Sequence, residues 1–525
     1  MTVRFLIKAS QYFDSVALMN IARDVQALPG IDDAALVMGT EANKRLLTTI
    51  GILSPQAEAA QPTDLIVMVK GDDSALEQVL AKTEELLVKR TPAISAGEGY
   101  RPRSLRGAMA AHPEINLAVI SVTGVYAAAE AWDALHQGLH VLLFSDNVSL
   151  DDEVALKQYA VENGLLLMGP GAGTAIINGV ALGFANVVSR GPVGIISAAG
   201  TGLQEVSTLL AREGVGVSQA IGVGGRDLSD RVGGLMMLHA LDALQLDPHT
   251  EVIVAISKLP SPEIAEKVIA RLSSGNKPGV VSFMGESLFS LRHSKANSIF
   301  WADTLQEAAL AAASLAQGDD AAVIKPQLAQ QTQALQAQAR QLISTLNPQQ
   351  KYLRGLFSGG TLCEEAIRIW SEQVGAVWSN APLQPEQKLA DSSQSQQHCA
   401  LDLGDEEFTV GRLHPMMDND LRIRRLLQEA WDPHVVVIQM DIVLGYGAHP
   451  DPASELGPAI EQAKSIAAAE GRQVIVICSV TGTDADPQNH ERQRAAFEAA
   501  GALVLNSNVE ASQLAAFLIA THQSS

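Results

Sequence analysis

The apolar run Leu117-Ala-Val-Ile-Ser-Val122 leads into an alanine-rich helical stretch, and this pairing of short strand with amphipathic helix recurs over most of the chain. Runs that are apolar throughout belong to strands buried on both faces, as in a parallel sheet covered by helices on each side. Residues 140–144 and 164–168 continue this first series, while 192–198, 216–223, 251–257 and 279–283 form a second. Residues 353–357, 435–441, 474–480 and 503–505 form a third. At the amino end, residues 4–8, 15–28 and 34–38 read as strand, helix and strand. The expected fold class is therefore α/β, with doubly wound parallel sheets.

A chain of 525 residues exceeds a single hydrophobic core. Residues 92–105, rich in Pro, Gly, Ser and Arg, read as a loop that breaks the first region. The glutamine-rich segment 326–350 reads as a polar helix and linker, and 381–398 as an exposed loop.

Thirty-seven basic against 58 acidic side chains leave a formal net charge of −21. Such a surface repels nucleic-acid phosphates and anionic lipid. It also repels an anionic substrate at long range, so a local positive feature must hold one. Three scattered cysteines (Cys363, Cys399 and Cys478) suggest neither a disulfide framework nor a metal site. The amino end reads as a strand rather than a signal peptide, and no apolar run reaches transmembrane length. A cytoplasmic location is expected.

In open parallel sheets, ligands bind where strand ends turn into helices, because free N–H groups and the helix dipole favour anions there. Four such turns stand out. Ser197-Ala-Ala-Gly-Thr-Gly202 offers two hydroxyls and close backbone approach at Gly200, Thr201 and Gly202. Gly224 and Gly225 free the backbone ahead of Arg226, whose planar fork suits carboxylate or phosphate, although pairing within the loop is an equal reading. Gly445, Tyr446 and Gly447 follow the strand that contains Asp441, with Asp451-Pro452 placed to start a helix. Ser358, Gly359, Gly360 and Thr361 make the fourth turn. A plain strand–helix turn competes at each, but a phosphate-sized ligand between two facing loops would explain a pair of them. His449 lies near enough to the third turn to touch such an anion, whereas His414 reads as a loop residue. No Walker loop or Ser-His-Asp order is visible.

Met168-Gly-Pro-Gly-Ala-Gly-Thr174, the turns at 194–202 and 222–226, and Asp247-Pro-His-Thr-Glu-Val-Ile253 resemble the α-subunit of succinyl-CoA ligase, in the same order. Leu401-Asp-Leu-Gly404 with residues 424–447 resembles the CoA-ligase domain of the β-subunit. Tyr12-Phe-Asp-Ser-Val16, Leu143-Phe-Ser-Asp-Asn-Val148, Arg354-Gly-Leu-Phe-Ser-Gly-Gly-Thr361 and Thr481-Gly-Thr-Asp484 are similar to the FdrA family, in its YahF-like branch. The resemblance spans essentially the whole chain. It implies a CoA-binding-like Rossmann domain followed by two flavodoxin-like domains of succinyl-CoA-synthetase type. The boundaries are then 1–170, 171–316, a helical linker at 317–350, and 351–525.

By the same resemblance, the turns at 197–202 and 445–447 correspond to two helix N-termini that converge on a phosphorylated histidine in succinyl-CoA ligase. Here that histidine's turn reads Met284-Gly-Glu286, and His293 lies later in an unrelated context. Lys258 aligns with the glutamate that supports the histidine. No stretch resembles an ATP-grasp domain. The family implies transfer of a carbamoyl group to phosphate in ureido-compound catabolism, with phosphate or carbamoyl phosphate as ligand and CoA as a further candidate. Arg226, Lys258 and Ser197 would be the catalytic groups, and a second protein subunit and an oligomeric assembly are implied. An ADP-forming acyl-CoA ligase and a non-catalytic scaffold are the alternatives. Gly171 and Ala172 replace an Asp-Cys pair of the family, and Ala199 stands where relatives carry serine, so an altered or inactive site remains an open reading.

Overall fold

The computed structural model describes residues 2–9, 13, 15–26, 28–40, 43–44, 47, 54–90, 102, 104–122, 124–284, 299–343, 346–409 and 412–523. The chain divides into two compact units, residues 1–115 with 406–414 and residues 116–405 with 415–525. The loop expected at 92–105 lies almost entirely outside the described residues. So do Tyr12, Asp14, Gly285, Glu286 and His293.

The first unit departs from the expected parallel pattern. Strands β1 (Thr2–Lys8), β2 (Ile31–Met38) and β3 (Leu65–Gly71) pair antiparallel in the order β1-β3-β2. The central strand, Leu-Ile-Val-Met-Val, is buried on both sides, which explains its unbroken apolar run. Leu65, Val67 and Val69 face helices Ser15–Gln26 and Asp73–Arg90, while Ile66 packs with Val37, Leu47 and Ala57 on the other side. A continuous apolar run reports two-sided burial and not strand direction, so the rhythm alone could not distinguish this sheet from a parallel one. The expected 1–170 region is accordingly two pieces, separated after Ile115.

The second unit opens with a small parallel sheet of β4 (Leu117–Ile120), β5 (His140–Leu143) and β6 (Leu167–Met168). The next sheet contains β7 (Thr174–Ile177), β8 (Val180–Gly183), β9 (Arg190–Ser197), β10 (Val217–Gly222), β11 (Val252–Ser257), β12 (Gly279–Phe283) and β13 (Ile299–Trp301). Its order is β13-β12-β11-β9-β10-β7-β8, parallel except for the β7–β8 hairpin at one edge. The last sheet is parallel, with β14 (Tyr352–Phe357), β15 (Trp378–Ser379), β16 (Cys399–Asp402), β17 (Val435–Val443), β18 (Ile475–Thr481) and β19 (Leu503–Leu505) in the order β15-β16-β14-β17-β18-β19.

Each large sheet has one place where the strand order reverses. From β9 the chain runs to β10 on one side and then returns to β11 on the other; from β14 it runs toward β16 and returns to β17. A crevice opens at the carboxyl ends of such strand pairs. One crevice lies above Ser197 and Ser257, the other above Phe357 and Val443. Helices Gly200–Arg212, Leu305–Ala316, Gly360–Val374 and Asn508–Gln523 fill the space between the sheets, and one hydrophobic cluster runs through both. Even the expected linker contributes: helix Ile324–Leu342 buries Ile324, Leu335 and Ala339 in that cluster.

Candidate functional site

Helix Gly200–Arg212 begins directly after β9. Its N-cap is Ala199, which provides no side-chain cap, and its first turn holds no acidic residue. Helix Gly360–Val374 begins in the same way after β14, with Gly359 as an uncapped N-cap. The first N–H groups of each helix therefore lie outside the intrahelical ladder, at the positive end of the helix dipole.

These two beginnings meet. A Cβ placed on Gly359 would lie 2.7 Å from Cγ2 and 2.8 Å from Oγ1 of Thr201, and one on Gly202 would lie 3.0 Å from Cγ2 of Thr361. Glycine at both positions is what permits two helix N-termini to approach with threonine beside each. Thr201 and Thr361 are buried there.

Lys258 follows β11 at the first crevice and reaches the second turn. A Cβ on Gly360 would lie 2.9 Å from its Nζ and in contact with Oδ2 of Asp402. The ammonium is 3.8 Å from Oε2 of Glu364, and its side chain keeps 38% exposure, open enough to meet a ligand. Asp402 ends β16; its Oδ1 accepts from the Gly404 amide at 3.0 Å. Burial pushes its carboxyl up to about 6 against the pull of Lys258. Burial likewise raises Glu364, with Lys258 opposing. Asp441 plays a different part. Its carboxylate accepts from the amides of Ser358 (2.7 Å) and Gly359 (2.9 Å) and from the Ser358 hydroxyl (3.0 Å), and Arg422 braces it. The turn before the Gly360 helix thus already holds an internal anion, whereas the start of the Gly200 helix has no acid in its own first turn.

Not every expected site residue belongs here. The Ser197 hydroxyl donates to the Ala199 carbonyl at 2.7 Å and accepts from its amide at 3.0 Å, so it shapes the turn from within and is not a free nucleophile. Arg226 is also committed, with Nε 2.9 Å from Glu153 and Nη2 donating to the Val148 carbonyl. Its neighbour Asp227 pairs with buried Lys157 instead. Gly225 lies alongside the Ala198 carbonyl, and Gly224, at φ +88°, packs on Gly169 and Pro170, so this loop buttresses the first turn.

The turn at Gly445, Tyr446 and Gly447 is not the opposite number of the 197–202 turn; the Ser358–Thr361 turn takes that position. The Gly445 amide donates to Gln488 and the Tyr446 amide to the Ala185 carbonyl, which consumes the groups an anion would need. The helix beyond starts only at Pro452. His449 accepts from the Asp451 amide and lies 3.3 Å from Glu455. Asp402, Asp441 and Glu364 also belong to the site, although no motif marks them as such. The available signal was an acidic residue at the end of an apolar strand, as at Leu401-Asp402, or within one, as at Met440-Asp441.

Sequence comparison assigns these pieces to known domain types. A model described as CoA-ligase matches residues 356–518, and one described as CoA binding domain matches 188–285. The uncharacterized protein YahF of Escherichia coli K12 is 46% identical over 98% of each chain. The chain belongs to the family of YahF. It is a member of the acyl-CoA-ligase superfamily, similar to the α-subunit of the ADP-forming succinate–CoA ligase of Methanothermobacter thermautotrophicus, at 26% identity over 31% of this chain and 56% of that subunit. A dinucleotide-forming acetyl-coenzyme A synthetase of Candidatus Korarchaeum cryptofilum matches 78% of this chain and 84% of its own, at 16% identity and a TM-score of 0.32. Residues 1–102 match a model described as AllF, heavy metal-associated domain, yet this stretch contains no cysteine and no histidine. It therefore lacks the thiolate and imidazole ligands through which such a domain would hold a thiophilic metal.

Proposed function

We propose that this chain is a subunit of an enzyme that transfers a carbamoyl or acyl group to phosphate, working with a second protein subunit in an oligomer. The observation that carries the proposal is the meeting of two uncapped helix N-termini beside Lys258. Phosphate would lie against Gly200, Thr201 and Gly202 with the ammonium nearby, held by helix N–H groups and that local cation against the acidic surface. In the transfer, a phosphate oxygen bonds to the carbamoyl carbon, that carbon's bond to the donor nitrogen breaks, and the leaving nitrogen takes up a proton. Asp402, raised to about 6 and adjacent to Lys258, is the group suited to deliver that proton. Free N–H groups of the Gly360 helix would steady charge developing on the carbonyl oxygen.

The test is carbamoyl phosphate formation from ureido acids such as oxalurate, by the chain with and without co-purifying proteins. Turnover that falls at least tenfold in Lys258→Ala supports the proposal, and absence of turnover in every such assembly refutes it. A second reading, an ADP-forming acyl-CoA ligase, is favoured by the CoA-binding match, which covers the first turn and Lys258. Nucleotide-dependent thioester formation from CoA would select it over the first.

A further inference from the structure

A cavity of about 660 Å³ lies away from the two helix N-termini. One wall is the carboxyl end of helix Gly200–Arg212, and another is the loop after β18 with the start of helix His490–Ala499. Gln306, Gln327 and Gln331 line it from two further helices.

Arg212 dominates the chemistry. Its Nη2 donates to the Val480 carbonyl at 2.7 Å and lies 2.9 Å from Nε2 of His490, and its Nη1 donates to the Asn506 carbonyl. Burial together with the neighbouring guanidinium of Arg212 holds the His490 imidazole at about 4, so it is a neutral partner. Nε of Arg212 is shut off from solvent with no acceptor, and among the described residues carboxylates act on the guanidinium only from a distance. Leaving a largely desolvated cation without a carboxylate is costly unless something supplies one.

The nearby acids act on the guanidinium only at a distance; the strongest of them, Glu205, accepts from the Thr481 hydroxyl and the Asn508 amide. Glu510 accepts from the Asn506 amide at 3.2 Å and from Gln306 at 3.4 Å, and Asp484 accepts from the Glu491 amide at 2.9 Å. Among the described lining residues, two guanidinium groups (Arg212 and Arg494) share the walls with three carboxylates (Glu213, Asp484 and Glu510). A phosphate dianion would meet net negative walls there. A ligand with both a carboxylate and an ammonium carries no net charge against those walls, and the glutamine amides offer donors and acceptors to an amide between them.

We propose that this cavity binds a small zwitterion of amino-acid or dipeptide size, its carboxylate on Arg212 and its ammonium toward Glu510 and Asp484. The volume falls within the range of small-molecule sites, roughly 300–1,000 Å³. The assignment stands apart from the proposed phosphate site, whose residues it does not share.

Titration calorimetry of the full chain with L-glutamine and glycylglycine tests it, alongside their N-acetyl and C-amide forms and inorganic phosphate. Saturable binding is expected for at least one free zwitterion, at least tenfold weaker once either end is blocked. Arg212→Gln should abolish it. Because Arg212 also grips strand-end carbonyls, Gln331→Leu on the opposite wall serves as a second variant, expected to weaken binding severalfold without touching that grip. Lys258→Ala should leave it unchanged. No saturable binding of either zwitterion, equal binding of the blocked forms, or insensitivity to both cavity variants would each overturn the proposal.

Discussion

Asp402 is the side chain at which pH should act most directly on the candidate site. Its carboxyl ordinarily titrates near 3.8 and here is raised to about 6, chiefly by burial. A carboxyl with a raised folded-state value stabilises the fold below its unfolded value, and that contribution disappears as pH climbs through the folded one. Stability should therefore fall between about pH 4 and pH 6 by up to ~3 kcal/mol from this group. Asp402→Asn should flatten the slope in that window, as read from urea unfolding at a series of pH values; an unchanged slope would mean that the carboxyl is not desolvated. Lys258 gives the complementary prediction. Inorganic phosphate that binds only the folded chain stabilises it by about 2.7 kcal/mol at a hundredfold excess over Kd, and so raises its melting temperature. Lys258→Ala should remove most of that protection, and retained protection would place the anion elsewhere.

At the scale of elements, the two helix starts can be probed separately. Ala199→Ser should add a side-chain cap to the Gly200 helix and stabilise the chain by about 1 kcal/mol, while weakening phosphate protection by occupying the N–H groups involved. Gly359→Ala should cost about 1–3 kcal/mol, because its Cβ meets the stiff, β-branched Thr201 at 2.7 Å. Gly360→Ala is the contrasting case. Its Cβ meets the movable ends of Lys258 and Asp402, so phosphate protection should suffer more than the melting temperature does. These elements also show what sequence could convey. The strand–helix rhythm located β9 through β12 to within two residues, because buried parallel strands leave unbroken apolar runs. The glycines marked both turns. Which turn faces which was not legible, since Gly359 and Gly445 look alike as sequence; only the placement of Gln488 and Ala185 removes the second. Arg226 misled for a similar reason, because Glu153, its partner, lies more than seventy residues away.

For the molecule as a whole, the question is whether the two large sheets melt together. They share one hydrophobic cluster, and Asn508 ties its polar centre. Its amide side chain donates to the Leu362 carbonyl at 3.0 Å and to Glu365 at 2.9 Å, while its backbone amide donates to Glu205 at 3.0 Å. Glu205 and Glu365 come from the two helices that meet at the candidate site, each five residues beyond its first glycine. Burial raises both carboxyls, Glu365 to about 7. Asn508→Ala removes the donors to Leu362 and Glu365 and should cost about 2–3 kcal/mol. The loss should depend on pH. Losing a donor to the charged form raises the Glu365 carboxyl further; wild type and variant then lose stability alike as pH climbs from the unfolded value, ordinarily 4.5, and differ only as it passes the wild-type folded value of about 7. The penalty of the variant should therefore grow from pH 6 to pH 8 and be smallest near pH 5. Calorimetry should show both sheets leaving in one transition in the wild type and the variant alike. A split transition in the variant would mean that Asn508 joins two separable domains, whereas a pH-independent penalty would leave the fold intact as described but locate the cost in the Leu362 carbonyl alone.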